Sequence, residues 1–261
     1  MLKRYQTAAY VLVFLALAVF LIGWKFMVAR ERPEDVAGYR KQIEVTAANV
    51  LSLPTSPEST DESLRIYGVN VVHTPPFKSM YIAYGIYLGD GAVLTAAHTL
   101  GKLSGYTNPR VLIAGQDLPA RVIKEGSVEK NDLALVSVDQ ERLPISLRMR
   151  RNPQCKEALR LGTNVVVVYP ERVARSRVIS PMLIPPDLRS RFNTLIEESQ
   201  VSGSGVFDAD RKCLLGIMSR RITKFAYQNE NGLLTQRENG YAGYFVPVFR
   251  SSPFIPQQFR F

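Results

Sequence analysis

The hydrophobic pattern divides the chain into segments of different character. Thr7 to Trp24 runs for eighteen residues without a charge, TAAYVLVFLALAVFLIGW. At about 1.5 Å per residue, a helix of that length crosses the hydrocarbon core of a bilayer. Tyr10 and Trp24 fall where interfacial aromatics sit. Residues 1–29 are therefore expected to be an uncleaved membrane anchor. The rival is a cleaved signal peptide, but the run exceeds the usual apolar core of one and no Ala-x-Ala site follows closely. Residues 30–65 turn polar. Val36, Tyr39, Ile43, Val45 and Ala48 give only weak helical periodicity, and Pro54 to Ser63 is rich in Pro and Ser. That composition predicts a stalk with a flexible connector.

From Arg65 the pattern changes to short apolar runs punctuated by turn residues, which predicts an all-β domain. The first set of strands is Tyr67–Val72, Tyr81–Tyr87, Ala92–Ala97, Arg110–Ala114, Ala120–Lys124 and Leu133–Val138. Gln140 to Gln154 reads as a Pro- and Arg-containing crossover. The second set is Asn164–Tyr169, Arg172–Pro181, Phe192–Glu198, Ser204–Asp208, Cys213–Ser219 and Gly243–Val248. Residues 251–261 form a Pro-rich tail with no clear pattern. No internal repeat is visible.

Composition adds two constraints. The 261 residues are 46% hydrophobic and 21% charged, so the chain as a whole is not disordered. The formal net charge is +10, with basic residues spread along the sequence. This favours contact with anionic polymers or lipid. No zinc-ligand spacing, helix-turn-helix pattern or aromatic-interleaved basic run accompanies it, so a specific nucleic-acid site is not predicted.

The candidate chemistry centres on Gly91-Ala92-Val93-Leu94-Thr95-Ala96-Ala97-His98, an apolar strand that ends on one of only two histidines. A small-residue bend there lets the backbone pack while the imidazole stands clear, as a general base requires. Asn131-Asp132-Leu133-Ala134-Leu135 places a carboxylate at the lip of a strand. Ser202-Gly203-Ser204-Gly205-Val206-Phe207 places a serine in a glycine-flanked turn. Base, orienting carboxylate and nucleophile are thus present in the order His98, Asp132, Ser202. His73, at the end of a strand, reads as structural. Asp117 and Asp139 are the rival carboxylates, and Ser199 and Ser204 the rival nucleophiles.

These three blocks resemble the signatures of trypsin-like (chymotrypsin-fold) serine proteases, nearest the bacterial glutamyl-endopeptidase and HtrA-type branch. The match spans about residues 66–250, with gaps of 132 − 98 = 34 and 202 − 132 = 70 residues. The resemblance implies two six-stranded antiparallel β-barrels, about 66–140 and 155–250, with the cleft between them. It implies a peptide or protein substrate and no metal or cofactor. Backbone amides of Gln200, Val201 and Ser202 would form the oxyanion hole. Ser219 would contact the triad carboxylate, Arg220, Arg221 and Gly243 would border the substrate, and Ile196 would approach the pocket floor. The chain departs from the family where Gln200 and Val201 replace the usual glycine and Asp or Asn. That departure supports a second reading, a degenerate protease-fold module that binds peptides or scaffolds an envelope complex.

Cys155 and Cys213 resemble two positions bridged within the second barrel of many such proteases, and two buried free thiols are the alternative. A bridge would place the domain in an oxidising, extracytoplasmic compartment. The cations flanking the apolar run, Lys25, Arg30, Arg32, Arg40 and Lys41 against Lys3 and Arg4, point the other way, but large domains translocate largely regardless of charge.

Overall fold

Runs such as Val165-Val166-Val167-Val168 lack the alternation of a half-exposed strand because both of their faces are buried. In the computed structural model Val165 and Val167 fill the interior of one barrel, while Val166 and Val168 face a seam shared with Ile86, Leu94 and Leu135 of another. The structure describes residues 33–51, 60–74, 80–100, 109–127, 129–157, 159–197, 201–230, 233–249 and 253–260. The Thr7–Trp24 run expected to cross a membrane lies outside them. No described helix is long and apolar enough to span a bilayer.

The first six strands are β1 (Gly68–His73), β2 (Tyr81–Gly89), β3 (Ala92–Thr95), β4 (Arg110–Ile113), β5 (Gln116–Glu125) and β6 (Ala134–Val138). They pair antiparallel in the order β1-β2-β3-β6-β5-β4 and close on β1. Val69, Val71, Tyr87, Val93, Val111 and Val136 point inward. The next six are β7 (Asn164–Val168), β8 (Val173–Ile179), β9 (Leu195–Ile196), β10 (Gly205–Asp208), β11 (Leu214–Glu230) and β12 (Leu233–Pro247). They close in the order β10-β11-β12-β9-β8-β7. Leucines and valines one position off from each barrel's interior build the seam, so the period-2 geometry of a strand serves two cores at once.

Three expectations are corrected. The stalk expected over 30–65 contains an α-helix, α1 (Pro33–Leu51), that is packed on the domain. Its docking residues are mostly polar or small, with Val50 packed against the first barrel's core, which is why the hydrophobic periodicity is weak. The Gly115 amide donates to Thr46 Oγ1 at 3.1 Å, and Asn49 Nδ2 donates to the Pro170 carbonyl at 2.6 Å. Tyr39 donates to Asp117. Gly115 has φ +73°, and a Cβ there would lie 2.6 Å from that of Ala47, so the turn between β4 and β5 takes glycine in order to meet the helix. The 3₁₀ turn Asp61–Tyr67 likewise buries Leu64 in the seam and Ile66 in the first barrel.

The second correction concerns the tail. Phe254, Ile255 and Phe259 are buried in the seam, and Gln154 donates to the Phe259 carbonyl at 2.7 Å. The prolines set the turns between these anchors. The third concerns the last hairpin. Strands expected at 213–219 and 243–248 run on to Glu230 and begin at Leu233. Arg221 pairs with Gly243, Thr223 with Tyr241 and Ala226 with Arg237. The mixed charges of this stretch concealed a strand pair. Asn231-Gly232 between the two strands is the hairpin signal that could have revealed it.

Candidate active site

β3 ends at Thr95, and the chain turns through Ala96 into a single helical turn, α2 (Ala97–Leu100). Ala96 and Ala97 are buried, and Thr99 closes the bend by donating from its hydroxyl to the Ala96 carbonyl at 2.6 Å. His98 is carried outward on this turn, with its side chain about one-third exposed.

Asp132 precedes β6, and its side chain is only 2% exposed. Its carboxylate accepts three hydrogen bonds: from the His98 amide at 2.9 Å, from His98 Nδ1 at 2.7 Å and from the Ser219 hydroxyl at 2.5 Å. Burial by itself raises the carboxyl's pKa. The bonds from the His98 ring, Ser219 and the His98 amide outweigh that and hold it below its ordinary value. An ionised carboxylate only accepts, so the proton of a neutral His98 resides on Nδ1. Nε2 then has its lone pair free, as a general base needs.

The rival carboxylates are engaged elsewhere. Asp117 binds Arg110 Nε at 2.7 Å, and Asp139 caps a 3₁₀ turn by accepting from the Glu141 amide at 3.0 Å. His73 is buried at the end of β1, with its pKa lowered by desolvation and opposed by the Glu125 charge.

Ser202 stands just before β10. Gly203 follows with φ +88°, and a Cβ there would lie 2.0 Å from the Tyr84 carbonyl of β2. Only glycine lets this turn of the second barrel press against the backbone of the first. The Ser202 hydroxyl donates to the Ser219 carbonyl at 2.8 Å. Among the described residues no hydrogen bond joins it to the His98 ring. Ser204 is wholly buried, and its hydroxyl donates to the Val201 carbonyl at 2.6 Å, so it does not face the cleft. Ser199 and Gln200 lie outside the described residues. Val201 is exposed.

No protein-family model and no curated protein matches this sequence. Solved structures do match its shape. Kallikrein-related peptidase 10 in complex with Zn2+ superposes with a TM-score of 0.53, covering 78% of this chain and 99% of that one at 15% identity. The active form of the Rv3671c protease from M. tuberculosis gives 0.50, covering 73% of this chain and 80% of that one at 15% identity. This is the chymotrypsin fold.

The remaining expected residues lie on β9, β11 and β12 of the second barrel of the chymotrypsin fold. Ser219 is buried on β11, and the bulge between Met218 and Arg220 comes where the strand leaves the barrel core. Arg220 is half-buried, with its guanidinium 5.3 Å from the centre of the Phe192 ring, which in turn meets Tyr244 edge-on at 4.9 Å. Arg221 is exposed over Tyr241 at 4.3 Å. Gly243 pairs with both Arg221 and Ile196, and Ile196 is fully buried. Cys155 and Cys213 form a disulfide across 58 residues. Tyr169 was not among the expected residues, and its phenol is hydrogen-bonded to Ser204 and Val201 beside Ser202. An apolar run ending in tyrosine carries no local signal of that role.

Proposed function

We propose that this chain is a serine endopeptidase, membrane-anchored through residues 7–24, with its catalytic domain outside the cytoplasm. The observation that carries the reading is the chain of hydrogen bonds from His98 through Asp132 to Ser219, with Ser202 held on the same Ser219. Rotation of the Ser202 side chain from the Ser219 carbonyl toward Nε2 of His98 would complete a triad. Ser202 Oγ attacks the peptide carbonyl while His98 takes its proton, and Asp132 stabilises the imidazolium. The His98 proton then passes to the leaving amine. Water, deprotonated by the same ring, cleaves the acyl-enzyme and restores Ser202. The amides of Gln200, Val201 and Ser202 are the candidates for stabilising the oxyanion. A peptide or protein substrate would lie along Ser219, Arg220, Arg221 and Gly243. The disulfide supports an oxidising compartment.

Ser202→Ala should abolish both cleavage of an unfolded protein and labelling by a fluorophosphonate. Equal labelling of the two proteins would reject the assignment. Protection of the domain from added protease in intact cells, with loss only on permeabilisation, would reject the extracytoplasmic placement.

The second reading is a module that binds peptides without cutting them. It is favoured by the Ser202 hydroxyl being turned to the Ser219 carbonyl. A purified, oxidised wild type that binds peptides but never reacts with a fluorophosphonate would establish it.

A further inference from the structure

Tyr169 follows β7, with its side chain wholly buried beneath the turn that carries Ser202. Its ring meets that of Tyr84 edge-on at 5.3 Å, and the Arg172 guanidinium lies 4.4 Å from its centre. Its phenol is hydrogen-bonded to the Ser204 hydroxyl and to the Val201 backbone N–H. Ser204 in turn donates to the Val201 carbonyl twice, from its hydroxyl at 2.6 Å and from its amide at 3.3 Å. A serine hydroxyl has a single proton. That proton goes to the Val201 carbonyl. The contacts close a ring of three residues: the Val201 N–H meets the Tyr169 oxygen, the Tyr169 phenol meets the Ser204 hydroxyl, and the Ser204 O–H donates to the Val201 carbonyl.

We infer that Tyr169 and Ser204 are positioning residues that aim the Ser202 amide into the cleft. The inference rests on the serine-protease reading above. In a planar trans peptide the carbonyl and the following N–H point in opposite directions. Drawing the Val201 carbonyl inward onto Ser204 therefore turns the Ser202 N–H outward, toward the side from which a substrate carbonyl arrives. A donor fixed there before charge develops is worth far more than one that must reorient. Loss of the ring frees the 201–202 peptide to rotate and present a carbonyl to the developing oxyanion. Burial, only partly offset by Arg172, pushes the Tyr169 phenol up to about 12, so it keeps its proton at working pH.

The test compares full-length wild type, Tyr169→Phe and Ser204→Ala in two independent measurements. Hydrogen exchange at the Val201 amide reads the ring without any need for activity. Fluorophosphonate labelling, with kcat and KM on a peptide, reads its consequence. The Val201 amide should be protected in wild type and exchange at least about tenfold faster in Tyr169→Phe. Both variants should label more slowly and lose kcat by about ten- to a hundredfold, with KM nearly unchanged. A variant that merely unfolds would instead lose active sites, and titrating the sites that remain separates the two. Ser204→Ala supplies the same readouts if Tyr169→Phe does not fold. Free exchange at Val201 in wild type, or labelling of both variants at the wild-type rate, overturns the inference. A wild type that never labels but protects Val201 supports the ring and overturns the protease reading alone.

Discussion

The hydroxyl of Ser219 donates to Asp132 at 2.5 Å while its carbonyl, on the same residue, accepts from Ser202 at 2.8 Å. One residue of β11 thus holds both a carboxylate from the first barrel and the serine of the second. Removing its hydroxyl in Ser219→Ala deprives Asp132 of one donor, and its pKa should rise toward the ordinary value of 3.8. A carboxylate held below its unfolded pKa contributes stability that is present above about pH 4 and is lost as pH falls through the folded value. The variant should therefore be less stable by about 1.5–3 kcal/mol above that pH, and the gap should narrow in stronger acid. Denaturant midpoints from pH 7 down to 3 measure this, and a pH-independent gap would count against it.

Gly203→Ala should damage both folding and activity. Its φ of +88° strains any side chain, at about 1–3 kcal/mol, and its Cβ would strike the Tyr84 carbonyl at 2.0 Å. The turn must back away from the first barrel, carrying Ser202 from His98. Denaturation together with fluorophosphonate labelling checks this, and an unchanged labelling rate would show that the approach is dispensable.

Joint replacement of Cys155 and Cys213 by serine should cost about 4 kcal/mol in the chain-entropy account of a 58-residue loop. The bridge ties the segment before β7 to the start of β11, and neither cysteine belongs to the His98–Asp132–Ser219 chain of hydrogen bonds. Urea unfolding should therefore shift while turnover of the folded fraction does not. A loss of turnover without loss of stability would contradict this.

His73→Phe should flatten the dependence of stability on pH near neutrality. Burial lowers the pKa of His73 below 6.5, with the Glu125 charge opposing. The unfolded chain then takes up the proton first, so wild-type stability is full above about pH 6.5 and falls as pH drops toward the folded value. Comparing the two proteins between pH 8 and 5 reads the effect. Parallel curves would mean that His73 does not contribute.

The sequence by itself determined the short apolar strands and the order of the candidate chemistry. Strands buried on both faces need uninterrupted Val and Leu, and the turns that carry His98 and Ser202 need small residues, so both leave local marks. It did not determine the docking of α1, which rests on Thr46, Asn49, an Ala47–Gly115 approach and Val50 and has no continuous hydrophobic stripe. Nor did it reveal the extended hairpin, where charged residues on exposed strands imitate a loop. Tertiary structure alone shows that His98 and Ser219 meet on Asp132, while Asp117, Asp139 and Ser204 are bonded elsewhere. Each pairing depends on which groups the folded chain brings within hydrogen-bonding distance, and that distance is set by packing across two barrels, not by neighbours in the chain.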